Sequence, residues 1–100
     1  MELEKTVELG LLLDTYGSLL TERMKDILTM YVCENLSLQE IGEYFKISKP
    51  AVLDAIKTSS KKLEFFESKI KMLSLKKSLE TLIDKNSFNK ENLQKLIEKY

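Results

Sequence analysis

The sequence predicts an all-α protein: a helix-turn-helix bundle with a long C-terminal helix extending from the recognition helix. Apolar residues recur at helical spacing along nearly the whole chain, and no run alternates apolar with polar residues for long enough to suggest a strand. Breakers are few, with Gly only at positions 10, 17 and 42 and Pro only at 50. Two serines, Ser37 and Ser48, are each placed to cap a helix, the first of them very short. One hundred residues with 43% hydrophobic content fill one modest core, so the chain reads as a single domain over 1–100. Within it, 37–60 form the helix-turn-helix and 61–100 a C-terminal helical extension.

The first helix is expected over about residues 2 to 15. Two stripes, Leu3-Val7-Leu11 and Leu9-Leu12-Leu13-Tyr16, together make a broad apolar face, and Gly17 suits a left-handed cap at its end. Thr21 can cap a second helix, where Met24, Ile27, Leu28 and Tyr31 follow the i, i+3, i+4, i+7 rule, and Glu34-Asn35 supplies turn material after it. Cys33 lies beside that stripe and reads as a buried or half-buried thiol.

Ser37-Leu38-Gln39-Glu40 is a capping box, in which the Ser37 hydroxyl meets the Glu40 N–H and the Glu40 carboxylate returns the bond. Leu36 and Ile41 form its hydrophobic staple. The third helix then has two turns, burying Leu38, Ile41 and Phe45. Lys46-Ile47-Ser48 repeats the logic, with Ser48 as cap, Ile47 stapled to Val52, and Pro50 in the first turn, where its missing N–H leaves no bond unmade. Gly42 falls where the two helices cross, so any side chain larger than Ala should push them apart.

The fourth helix should be long. Val52, Ile56, Ser59, Leu63, Phe66, Ile70 and Leu73 form a heptad seam interrupted only by Ser59, so one helix is expected from 49 to at least 73. Past Ser74 the register fails, and either a break or a curved continuation is compatible with the pattern. So long a stripe in so short a chain points to a homodimer. Asn86-Ser87-Phe88-Asn89 marks a loop, and Asn89 caps a last helix stapled by Phe88 and Leu93, with Leu96, Ile97 and Tyr100 on its apolar side.

Several function classes drop out. There is no histidine and Cys33 is the lone cysteine, so the usual zinc sets, a disulfide, and Cys-His or Ser-His catalysis are all unavailable. The chain reads as a non-enzyme without cofactor or metal. It has no signal segment and no apolar run of membrane-spanning length, which places it in the cytoplasm and away from the membrane. Sixteen basic residues balance sixteen acidic ones, but unevenly: residues 1–45 carry three basic against nine acidic, net −6, leaving +6 for 46–100. Any anionic partner should meet the second half.

The candidate nucleic-acid-binding residues are therefore Lys46, Ser48, Lys49, Leu53, Lys57 and Lys61, with Lys62 extending the basic stretch and Asp54 opposing it. The first two turns of a recognition helix would offer Ser48, Lys49, Pro50, Leu53, Asp54 and Lys57 to base edges. Arg, Asn and Gln make the bidentate base contacts, and none is among them.

Taken together, these residues resemble the YlxM-like proteins of low-GC bacteria, whose helix-turn-helix is similar to the promoter-reading fourth region of sigma factors. The resemblance runs over about residues 10 to 70. It is carried by Tyr16-Gly17-Ser18-Leu19-Leu20-Thr21, Tyr31, Leu36-Ser37-Leu38-Gln39-Glu40-Ile41-Gly42-Glu43, Ile47-Ser48-Lys49-Pro50-Ala51-Val52, Asp54, Lys57, Leu63-Glu64 and Glu67. Members typically carry an Arg-Gln pair where this chain has Lys49-Pro50, and a further Arg near Thr58, so the departures fall on positions that would face nucleic acid. The resemblance implies a regulatory role connected with the signal recognition particle. Two functions stay open at this point. One is a dimeric DNA-binding regulator that places residues 48 to 57 in a major groove; the other is an accessory factor that binds the particle's RNA or its GTPase through the same lysine face.

Overall fold

The computed structural model describes residues 3–100, with side chains from Lys5 onward. In chain order it holds α1 (Leu3–Tyr16), a 3-10 turn (Gly17–Leu19), α2 (Glu22–Val32), α3 (Leu38–Phe45), α4 (Lys49–Ile70), α5 (Met72–Asp84) and α6 (Lys90–Lys99). Among the described residues there is no strand, and no helix is long and apolar enough to cross a membrane.

Each predicted side-chain N-cap forms. Thr21 Oγ1 accepts from the Met24 N–H, both arms of the Ser37–Glu40 capping box close at 3.1 Å, Ser48 Oγ accepts from the Ala51 N–H at 3.2 Å, and Asn89 Oδ1 accepts from the Asn92 N–H. These bonds satisfy N–H groups that the first turn of any helix leaves without a partner. Asn35 and Asn86 take the left-handed conformation in the two loops, which suits asparagine better than most L-residues.

Helix α4 is the central strut, against which α1, α2 and α3 all pack. Ile27, Leu28, Ile41, Val52 and Leu63 are the innermost side chains, with Leu9, Leu12, Leu13, Tyr16, Leu20, Ile56 and Leu73 completing the core. Leu38 and Phe45 are only half-buried at its margin, where the Arg23 guanidinium lies 5.4 Å from the Phe45 ring centroid. Ser59 occupies the seam almost fully buried because its hydroxyl donates to the Ala55 carbonyl at 2.7 Å, which leaves no unmet polar group.

Five expectations are corrected. Only the second α1 stripe is buried: Val7 and Leu11 face outward, and the Leu3 side chain lies outside the described residues. Gly17 is not a left-handed cap, since none of the glycines has positive φ; it is buried and opens the 3-10 turn, with Leu20 N–H bonded to its carbonyl. Cys33 is exposed, at the C-cap of α2. At Gly42 even Ala does not fit, because an added Cβ would stand 2.7 Å from the Ile47 carbonyl oxygen. Left-handed Lys46 turns the chain back over α3 there, with the Ile47 N–H bonded to the Gly42 carbonyl at 2.9 Å.

The fifth correction concerns the seam. Helix α4 ends at Ile70 and not beyond 73, since Lys71 adopts the left-handed conformation (φ 58°, ψ 27°) and α5 starts afresh. No side chain at Lys71 caps α5. Instead Met72 N–H donates to the Tyr16 hydroxyl oxygen, and Leu73 and Ser74 N–H donate to the Glu67 carboxylate, each at 3.0 Å. The seam is covered within the chain as far as Leu63, with Phe66 half-buried against Tyr16 and Ile70 half-exposed. It therefore supplies no long apolar stripe for a second copy.

Candidate nucleic-acid interface

The turn between α3 and α4 is built by two local devices. Left-handed Lys46 stops the short helix, and Ser48 starts the long one two residues later. The reversal is tight because Gly42 has no side chain to hold the Ile47 backbone away. Ile41 and Val52, both fully buried, lock the two helices together across it.

This geometry brings the six candidate residues to one surface. Lys46 projects from the turn; Ser48 sits at the helix start, its oxygen already accepting from Ala51; Lys49, Leu53, Lys57 and Lys61 follow at intervals of four on α4. All six are exposed, Leu53 at 38%. Residues four apart on a helix lie about one turn above each other and roughly 40° around, so the four make a stripe that winds through about 120° from Lys49 to Lys61. Among the described residues none of these lysines has an ion-pair partner within 4.0 Å. Their ammonium groups and the partial positive charge of the α4 N-terminus present one sign of charge to an incoming anion. Exposed Asp54 and Glu64 interrupt that field.

Sequence reasoning missed part of this surface. A shallow cleft of about 760 Å³ runs beside the stripe, where Lys5 of α1 and Tyr31 of α2 join Leu53, Ile56, Lys57 and Lys61. No local pattern points to Lys5 or Tyr31, since distant helices bring them there. The arrangement is fitted to binding: it has lysines for phosphate and an aliphatic contact for a base methyl.

The sequence has relatives among known proteins. Residues 3–100 match the family UPF0122, described as "Putative helix-turn-helix protein, YlxM / p13 like". The chain is similar to a UPF0122 protein of Clostridium perfringens (strain 13), at 38% identity over 96% of this chain and 92% of the relative. It is similar to a UPF0122 protein of Fusobacterium nucleatum, at 40% identity over 98% and 97%, and to one of Mycoplasma capricolum, at 42% over 87% and 77%.

Proposed function

Since the chain belongs to UPF0122, the YlxM/p13-like helix-turn-helix family, we propose that it is a DNA-binding regulatory protein of the cytoplasm, acting as a homodimer and without catalysis. The N-terminal turns of α4 enter a major groove, where Lys49 and Lys57 meet phosphate or guanine and Leu53 meets a thymine methyl. Lys46 and Lys61 hold the flanking backbone. The Ser48 hydroxyl, whose oxygen already accepts from Ala51, donates to phosphate. The observation that carries this reading is the exposed, unpaired stripe Lys46, Lys49, Leu53, Lys57 and Lys61, set on the helix-turn-helix itself.

A second reading is favoured by one observation: the exposed first turns of α4 contain no Arg, Asn or Gln. In it the protein is an accessory factor of the signal recognition particle, and the lysine stripe meets the particle's RNA or its GTPase. Both readings use the same lysines, and salt and sequence dependence tell them apart.

The test is a titration of the wild type and a Lys49→Glu/Lys57→Glu variant against random duplex, a selected duplex and purified particle components at two salt concentrations. A DNA regulator should prefer its selected duplex over random duplex by about a thousandfold or more, with duplex binding lost in the variant. A wild type that prefers no duplex sinks the DNA reading. Binding to particle components that the variant loses, steeply salt-dependent for RNA and less so for protein, supports the second.

A further inference from the structure

Helices α5 and α6 form a C-terminal arm whose apolar side chains are poorly covered. Leu73, at its root, is the one buried residue of α5, and α6 has none. Along the arm Met72, Ile83, Ile97 and Tyr100 are 52%, 62%, 68% and 43% exposed, while Leu75, Leu79, Leu93 and Leu96 are half-buried between and beside the two helices. Two helices alone cannot enclose a core, so such a face favours a further layer. The molecule is elongated, 54 × 22 × 18 Å, consistent with an arm that extends from the body.

The chain also carries a surface that complements this arm. On α1, Val7 and Leu11 are 56% and 38% exposed one turn apart, with exposed Glu8 and Asp14, and one exposed cation, Lys5, on the same helix. They belong to the half of net charge −6, whereas residues 71–100 carry seven lysines against four acidic residues, net +3. The chain's own arm does not cover that strip: α5 meets α1 near Leu12 and Leu73, and Val7 and Leu11 stay bare. We infer that the α5–α6 arm docks its apolar stripe on the Val7–Leu11 strip of a second copy, reciprocally, with arm lysines against α1 carboxylates. A two-fold contact of this kind uses each surface twice and closes on itself. The assignment rests on the homodimer named above and gives it a surface other than the α4 seam.

Sedimentation of the full chain tests it first, and the wild type should be a dimer at tens of micromolar. An Ile83→Lys/Ile97→Lys variant should dissociate about 30-fold or more readily with unchanged helix content, since both side chains are already more than half exposed. Leu11→Lys should act in the same direction from the other side of the contact. Cross-linking then separates the arrangements: in a Cys33→Ser background, Leu11→Cys and Ile97→Cys proteins are mixed and oxidised. A dominant mixed disulfide supports the docking, whereas disulfides only between Ile97→Cys copies mean arm against arm and overturn it. A dimer untouched by all three lysine substitutions overturns this surface and leaves the homodimer standing. A wild-type monomer removes both, and the duplex titration is independent of either result.

Discussion

The Tyr16 hydroxyl donates a 2.5 Å hydrogen bond to Glu67 Oε1 and accepts one from the Met72 N–H at 3.0 Å. With Glu67 also accepting from Leu73 N–H, Ser74 N–H and the Ser74 hydroxyl, the first three amides of α5 are held by side chains from α1 and α4. A negative charge at a helix start is favourable in itself, because it faces the positive end of the peptide dipoles. The body and the arm are joined at this point.

Tyr16→Phe should therefore loosen the joint without unfolding the bundle. The expected loss is about 1.5 to 3 kcal/mol, the usual contribution of a hydrogen bond to a charged group. Amide exchange checks it: protection at Met72 should fall first, while α2 and α3 stay protected.

Glu67 also sets a pH dependence. Burial disfavours its charged form, but the hydrogen bonds from Ser74, Tyr16 and the Leu73 and Ser74 amides outweigh that and leave its pKa below the ordinary value. Stability from a lowered carboxylate is fully present above the unfolded pKa and is lost as pH falls through the folded one. Wild type should thus exceed Glu67→Gln in urea midpoint at pH 7, and the gap should shrink as pH drops below the ordinary carboxylate range. A gap constant down to pH 3 would contradict the assignment.

Gly42→Ala should destabilise, although Ala is the better helix former by about 1 kcal/mol. The added Cβ meets backbone, the Ile47 carbonyl at 2.7 Å, so the turn itself must move. The expected cost is roughly 1 to 3 kcal/mol by the scale of overpacked sites. Thermal melting of the variant measures it, and an unchanged or raised midpoint would show that the turn yields freely.

Lys46→Gly should separate stability from binding. Lysine there holds φ 58°, a conformation that costs an L-residue about 1 to 2 kcal/mol and glycine almost nothing. The variant should melt higher while its affinity for an anionic partner falls, with a smaller salt slope because one ammonium is gone. Stability and affinity falling together would argue that the lysine shapes the turn and does not contact a ligand.

Ser59→Ala should be close to neutral, since the hydroxyl bonds only to the Ala55 carbonyl on its own helix and its loss strands no partner. Ser59→Leu, which would complete the heptad pattern, should cost roughly 1 to 3 kcal/mol, because the site is already 1% exposed and closed around a small side chain. Chemical denaturation of the pair tests whether the seam is filled.

Much of the fold was legible from the chain alone, for a specific reason. The capping box at Ser37 and Glu40 and the caps at Thr21, Ser48 and Asn89 each close within three residues, so adjacent sequence is enough to specify them. They delimit the short helix, its turn and the start of the long one, which is why the candidate stripe from Lys46 to Lys61 could be named in advance. The end of α4 was different. Its heptad pattern runs on to Leu73, and the break at Lys71 depends on Tyr16, far away in sequence, and on Glu67 turning back to satisfy the new helix start. The same holds for which α1 stripe is buried, for Lys5 and Tyr31 beside α4, and for the carbonyl that excludes Ala at Gly42. Periodicity states which faces of a helix can be buried; only the packing of distant helices decides which one is, because burial is a property of the pair in contact and not of either segment alone.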